Sequence, residues 1–150
     1  MPSSYSRLLY HCVFGTKERR PVIHAAVADE LYPFMASILT PDQGRVLKVG
    51  GMKDHVHLLV QLPTDVSVAD AIRAVKANSS RWLNRRGLVD GPFRWQAGFA
   101  AFSVSYSARE AVERYITGQA GHHERGGFAE ELAELLKRHG LQYDERFLGE

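Results

Sequence analysis

Residues 45–62 read RVLKVGGMKDHVHLLVQL, and the fold follows from how this stretch is paired. RVLKVGG and HVHLLVQL are strand-like runs, and the short connection MKD between them suits an antiparallel hairpin. Successive side chains of a strand point to opposite faces, so Val56, Leu58, Val60 and Leu62 form one apolar face and His55, His57, Leu59 and Gln61 the other. The first set predicts the core face. The second set places two imidazoles side by side, with Cα atoms two residue rises or roughly 7 Å apart. Such a pair suits a shared metal ion, and it equally suits a half-solvated sheet face; the two histidines alone do not decide between these readings.

Working outward, residues 6–16 read as a strand apolar on both faces, ending in the basic loop TKERRP. Residues 24–40 are rich in alanine and leucine and predict a helix that Pro33 should kink or interrupt. After the hairpin, Ser67 is placed to cap a second helix in which Val68, Ile72, Val75, Trp82 and Leu83 recur at helical spacing. RGLVDGP forms a loop and FAAFSVS a fourth strand. The resulting order up to Ser105 is β-α-β-β-α-β, the split pattern of a ferredoxin-like or RRM-like α+β sheet. Ser107 and Glu110 stand as S-x-x-E before AVERYI, which predicts a capping box opening a third helix. Gly118, Gly121, Gly126 and Gly127 leave the end of that helix open. A last helix carries Phe128, Leu132, Leu135, Leu136 and His139 along one side and stops at Gly140. The two C-terminal helices are additions to the sheet pattern, and no linker divides residues 1–150, so one domain is expected.

Composition narrows the class. Apolar residues make up 45% and charged residues 24% of the 150, the balance of a globular protein. No apolar run approaches the ~20 residues that cross a bilayer, and the N-terminus lacks the order of a signal peptide, so the expected location is the cytoplasm, away from membranes. Cys12 is the single cysteine, which excludes an internal disulfide and a thiolate metal cluster. The net charge of +2 says little; its distribution says more.

Tyr115 and Gln119 are i and i+4 on the third helix and project toward a common point. A phenol has a pKa of about 10 and needs a base or a cation nearby to act as a nucleophile at neutral pH. Ala108, Ala111 and Tyr115 also continue an apolar stripe, so packing explains the tyrosine as well. His122 and His123 suit a surface or phosphate-contacting role. Arg73, Lys76, Arg81, Arg85 and Arg86 lie off the apolar stripe of the second helix, and with Lys17, Arg19 and Arg20 they can follow a phosphate backbone or simply solvate a helix face. In FRWQAGF, Phe93, Trp95 and Phe99 alternate with Arg94 and Gln96 and offer stacking surfaces for unpaired bases, or aromatic packing at a strand entrance.

DHVHLLV at 54–60, RWQAGFAAFSVS at 94–105, YITGQAGHH at 115–123 and FAEELAELLKRHGLQYDERFL at 128–148 together resemble the single-tyrosine HUH transposases. That group includes insertion-sequence transposases of about this size and the REP-associated tyrosine transposases of bacteria. The resemblance implies that His55, His57 and Gln119 bind a divalent ion, magnesium or manganese, and that Tyr115 is the nucleophile. The implied reaction is attack on a phosphodiester of single-stranded DNA, with hairpin ends as substrate, leaving a 5′-phosphotyrosine and a free 3′-hydroxyl. With such a substrate, the basic and aromatic residues read above, Lys17, Arg19, Arg20, Lys76, Arg81, Arg85, Arg94 and Trp95, are the expected DNA contacts. The implied assembly is a homodimer in the bacterial cytoplasm. Two other readings fit the same residues: an RRM-like nucleic-acid-binding protein without catalysis, and a metal-dependent phosphodiesterase that uses water.

Overall fold

The computed structural model describes residues 4–119 and 127–144. Four strands, β1 (Leu8–Gly15), β2 (Arg45–Met52), β3 (His55–Leu62) and β4 (Ala100–Val104), form one sheet in the order β2-β3-β1-β4. Every neighbouring pair is antiparallel. Two crossover helices, α1 (Ala25–Ser37) and α2 (Val68–Arg86), connect β1 to β2 and β3 to β4. This is the ferredoxin-like α+β arrangement expected from the element order.

The crossover helices share one sheet face. Cys12, Phe14, Val56, Leu58, Val60 and Leu62 point into it and pack with Val27, Leu31 and Met35 of α1 and Ile72, Val75 and Leu83 of α2. Each fully buried side chain of this kind contributes about 1.5–3 kcal/mol, so this layer carries the main core. Ser67 caps α2 as expected, its hydroxyl accepting from the Asp70 backbone N–H at 3.0 Å, and Gly87 closes the helix in the left-handed region at φ 61°. Pro33 does not interrupt α1: it lies on the exposed side, while Val27, Leu31 and Met35 stay buried on either side of it. The bond its missing N–H would have made faces water, where it costs least.

The other sheet face carries α3 (Arg109–Thr117) and α4 (Phe128–Arg138). The face that bears His55 and His57 is therefore not half-solvated; both histidines are 0% exposed. Val112 and Ile116 of α3 pack on Leu9 and Leu59, and Phe128 and Leu135 of α4 pack on Val13 and Phe102. The inward stripe of α3 is thus Val112–Ile116, one position on from the Ala108–Ala111 row; Ala111 is exposed. The expected capping box is also absent. A 3-10 turn at Tyr106–Ala108 precedes α3, the Ser107 and Ser105 hydroxyls bond each other at 2.8 Å, and Ala108 occupies the N-cap. No described helix is long and apolar enough to cross a membrane.

Candidate active site

Three elements converge on one point. β3 supplies His55 and His57, whose Nε2 atoms both lie 3.2 Å from Glu131 Oε1 of α4. Gln119, just beyond α3, turns its Oε1 to His55 Nε2 at 3.1 Å and donates its amide to Glu131 Oε2 at 3.0 Å. Tyr115 donates its hydroxyl to the same Glu131 Oε2. His55, His57 and Glu131 form a cluster whose ligand atoms lie within 4.8 Å of one another. The sequence-derived set of His55, His57, Gln119 and Tyr115 is brought together, and Glu131 is added to it. Glu131 carried a signal in the sequence: it falls at i+3 from Phe128 and i−4 from Leu135, an acidic residue inside an apolar stripe.

Each imidazole is oriented by a partner at its other nitrogen. His55 Nδ1 meets Asp54 Oδ1 at 2.8 Å, and His57 Nδ1 meets His11 Nε2 at 2.8 Å. Metal-binding histidines characteristically spend the second ring nitrogen this way, which fixes the ring and aims the first. The close approach of α3 depends on Gly50, which pairs with His57 across the β2–β3 ladder; a Cβ there would run into the Ile116 carbonyl oxygen. Gly15 faces His55 from β1, where a Cβ would press on Gln96 Oε1 and the Phe128 ring. Phe128 in turn stacks on His55, with ring centroids 4.0 Å apart and planes within 4°.

The electrostatics follow from burial and from these contacts. Burial alone would raise the Glu131 carboxyl, but hydrogen bonds from His55, His57 and Tyr115 and the charge of His57 outweigh it and hold Glu131 well below the usual carboxylate range. Burial opposes the His55 imidazolium, yet hydrogen bonds to Asp54 and Glu131 raise His55 above its ordinary value. Burial, and then the hydrogen bond to Glu131, push the Tyr115 phenol up, so it stays protonated at neutral pH. Burial and the neighbouring His57 lower His11 to about 3, so it is neutral.

The basic residues divide. Lys17, Arg73, Lys76 and Arg94 line an open groove of about 630 Å³ beside α2, together with Gln96 and Phe99. Lys76 is partly engaged already, donating to the Gln96 and Gly98 carbonyls at 2.7 Å. Gln96 links groove and site, its side chain accepting from the Gly15 N–H at 2.5 Å. Arg19 stands elsewhere, its guanidinium 4.3 Å from the Phe128 ring centre. Glu18 and Arg19 take positive φ values of 58° and 56°, a conformation that costs non-glycine residues on the order of 1–3 kcal/mol and concentrates at functional sites. Arg20 is tied to the Asp90 and Pro92 carbonyls, and Arg81 and Arg85 lie on exposed α2 surface outside the groove. Trp95 corrects the expectation of a free stacking surface: it is 8% exposed, its Nε1 donates to Ser79 Oγ at 2.9 Å, and Phe14 and Phe93 pack edge-on against it. His122 and His123 lie outside the described residues.

Known proteins carry the same arrangement of segments. The chain is 27% identical over 118 residues to the ISDra2 transposase TnpA of Deinococcus radiodurans, a match spanning 75% of this chain and 84% of that one. A crystal structure described as a candidate transposase from Deinococcus radiodurans R1 superposes with a TM-score of 0.59 at 26% identity, covering 77% of this chain and 93% of that one. A REP-associated tyrosine transposase bound to a REP hairpin shares the fold, with a TM-score of 0.54 at 16% identity, over 77% of this chain and 68% of that one. The sequence model of the family described as "Transposase IS200 like" matches residues 4–119, a stretch that takes in His55, His57, Tyr115 and Gln119 and stops short of Glu131. By that match over most of its length, with the histidine pair and the tyrosine helix facing one another, the chain belongs to the IS200-like transposase family.

Proposed function

We propose that this protein cuts and rejoins single-stranded DNA through a covalent 5′-phosphotyrosine at Tyr115, in a metal-dependent reaction on hairpin-ended DNA. The observation that carries this reading is the placement of the Tyr115 hydroxyl and the His55, His57 and Gln119 donors on a single carboxylate, Glu131.

The donor set fits a divalent ion. Two imidazole nitrogens, an amide oxygen and a carboxylate oxygen converge, and the His55–Gln119 and histidine–Glu131 separations of 3.1–3.2 Å match neighbouring ligands on an octahedral ion, which stand about 3 Å apart when each bond is ~2.1 Å. Mixed nitrogen and oxygen ligands suit manganese or magnesium better than a thiolate-seeking ion. His55, His57 and Gln119 would hold it, with Glu131 completing the set. When bound, the ion supplies positive charge that polarises a phosphate oxygen.

The chain's own groups do the rest. Tyr115 Oη attacks phosphorus and the 3′-oxygen departs, so one phosphodiester is exchanged for another and the strand can be rejoined without an external energy source. Glu131 Oε2, which accepts the Tyr115 hydrogen bond, is in position for the phenol proton, and the departing oxygen takes its proton from solvent. Lys17, Arg94 and Phe99 in the groove provide phosphate and base contacts for the flanking strand. A homodimer belongs to this reading, although the donors and the tyrosine all come from one chain.

Incubation with single-stranded DNA and Mn2+ should give a covalent adduct that shifts on a denaturing gel. Tyr115→Phe should abolish it, and His55→Ala should reduce it by at least about 100-fold. Strand cleavage that persists in Tyr115→Phe with no protein attached would replace this reading by a water-using phosphodiesterase.

A further inference from the structure

The hydrogen bond between His11 and His57 decides whether His57 can serve as a ligand at all. A neutral imidazole carries one N–H. If that hydrogen sits on His57 Nε2, it points at Glu131 and the nitrogen has no lone pair to offer; if it sits on Nδ1, Nε2 is free. Across the 2.8 Å contact, one of His57 Nδ1 and His11 Nε2 donates and the other accepts. The two histidines of β3 differ here. His55 Nδ1 faces the Asp54 carboxylate, which only accepts, so its direction is set. His57 Nδ1 faces a second imidazole, which is able to do either.

We infer that His11 is a positioning residue for the metal site: when an ion takes the place of the His57–Glu131 hydrogen bond, His11 accepts from His57 Nδ1–H and thereby leaves Nε2 as the bare ligand nitrogen. The inference rests on the metal-dependent reading above. Packing holds the His11 ring against His57. Its ring stacks on His57 with centroids 5.0 Å apart and planes 26° apart, and it is bracketed by Phe102 of β4 at 6.0 Å and the Tyr115 ring of α3 at 5.8 Å. The register supports the same placement, because His11 pairs with Leu59 and Val13 with His57, which makes His11 and His57 diagonal neighbours on one sheet face. His11 also touches the ring of the proposed nucleophile, so one buried side chain sets both the ligand and the wall against which Tyr115 lies.

Two measurements test this. In wild-type protein labelled with 15N-histidine and titrated with Mg2+, two-bond 1H–15N correlations should show His57 protonated on Nδ1 and His11 accepting through an unprotonated Nε2. A His57 proton that remains on Nε2 with Mg2+ bound overturns the inference, and this arm needs no variant. In the second, Mn2+ affinity is read from the free-ion electron paramagnetic resonance signal. His11→Leu, which cannot accept, should weaken binding by about 10–100-fold, the usual cost of losing an outer partner of a ligand. His11→Gln, which keeps an acceptor oxygen, should stay within a few-fold of wild type. If His57→Ala abolishes Mn2+ binding while His11→Leu binds as wild type does, the role of His11 falls and the metal site stands. If the wild type takes up no Mn2+, both fall.

Discussion

At the scale of single residues, burial sets a pH dependence that can be measured. His11 is neutral down to about 3 in the folded protein, against an ordinary value of 6.5 when exposed. Between those values the unfolded chain binds a proton that the folded chain refuses, so stability falls as pH falls through the window. The slope from this one group approaches about 1.4 kcal/mol per pH unit. Glu131 and Asp54, both held low, add loss in the same direction below their ordinary values of 4.5 and 3.8. His55, whose value is raised, opposes it: its contribution is fully present below 6.5 and is lost as pH rises through its folded value. Urea unfolding in the presence of a chelator should therefore show wild-type stability declining from pH 6.5 toward acid, with a shallower decline in His11→Gln. Equal slopes in the two proteins would show that His11 does not titrate this way. The same scale shows what a single sequence carries poorly. His55-Val56-His57 and Tyr115-x-x-x-Gln119 are local patterns, whereas Glu131, an acidic residue in an apolar stripe, and His11 are tied to the site by contacts spanning 74 and 46 residues.

At the scale of elements, the site depends on how closely α3 lies on the sheet. Gly50 in β2 faces the Ile116 carbonyl, and a methyl group there has nowhere to go but into helix backbone. Gly50→Ala should cost about 1–3 kcal/mol, the usual price of overpacking. It should also lower covalent adduct formation by on the order of 100-fold, since displacing Tyr115 and Gln119 by about 1 Å is enough to misalign them. A circular dichroism spectrum like that of wild type, combined with normal adduct yield, would show that α3 does not need this close approach. Elements with strong local signals were legible before the fold was known: the β2–β3 hairpin, the Ser67 cap and the α2 stripe all appear where periodicity and capping place them. The start of α3 was not. Ser107 has the right spacing for a capping box, but its hydroxyl is taken by Ser105 and the chain enters α3 through a 3-10 turn.

At the scale of the whole molecule, the sheet separates stability from chemistry. One face is the main apolar core under α1 and α2; the other sets the polar cluster among two smaller apolar clusters under α3 and α4, while the basic groove opens beside α2. Binding of single-stranded DNA should weaken linearly in log–log with salt, and Lys17→Ala or Arg94→Ala should each lower that slope by about 0.7, the value for one phosphate contact on a single strand. His55→Ala should leave the slope alone. A slope unchanged in both cation variants would place the DNA elsewhere. The sequence by itself determined the strand and helix order and the core face of β3, because these rest on periodicity and short-range spacing; the pairing of the histidine motif with a tyrosine rested on resemblance to a family. Tertiary structure alone decided that the histidine face is closed, that Trp95 is core, that Lys76 is held by loop carbonyls, and that Glu131 and His11 belong to the site. Those outcomes depend on which faces meet across the sheet, and residue spacing along one chain does not encode that.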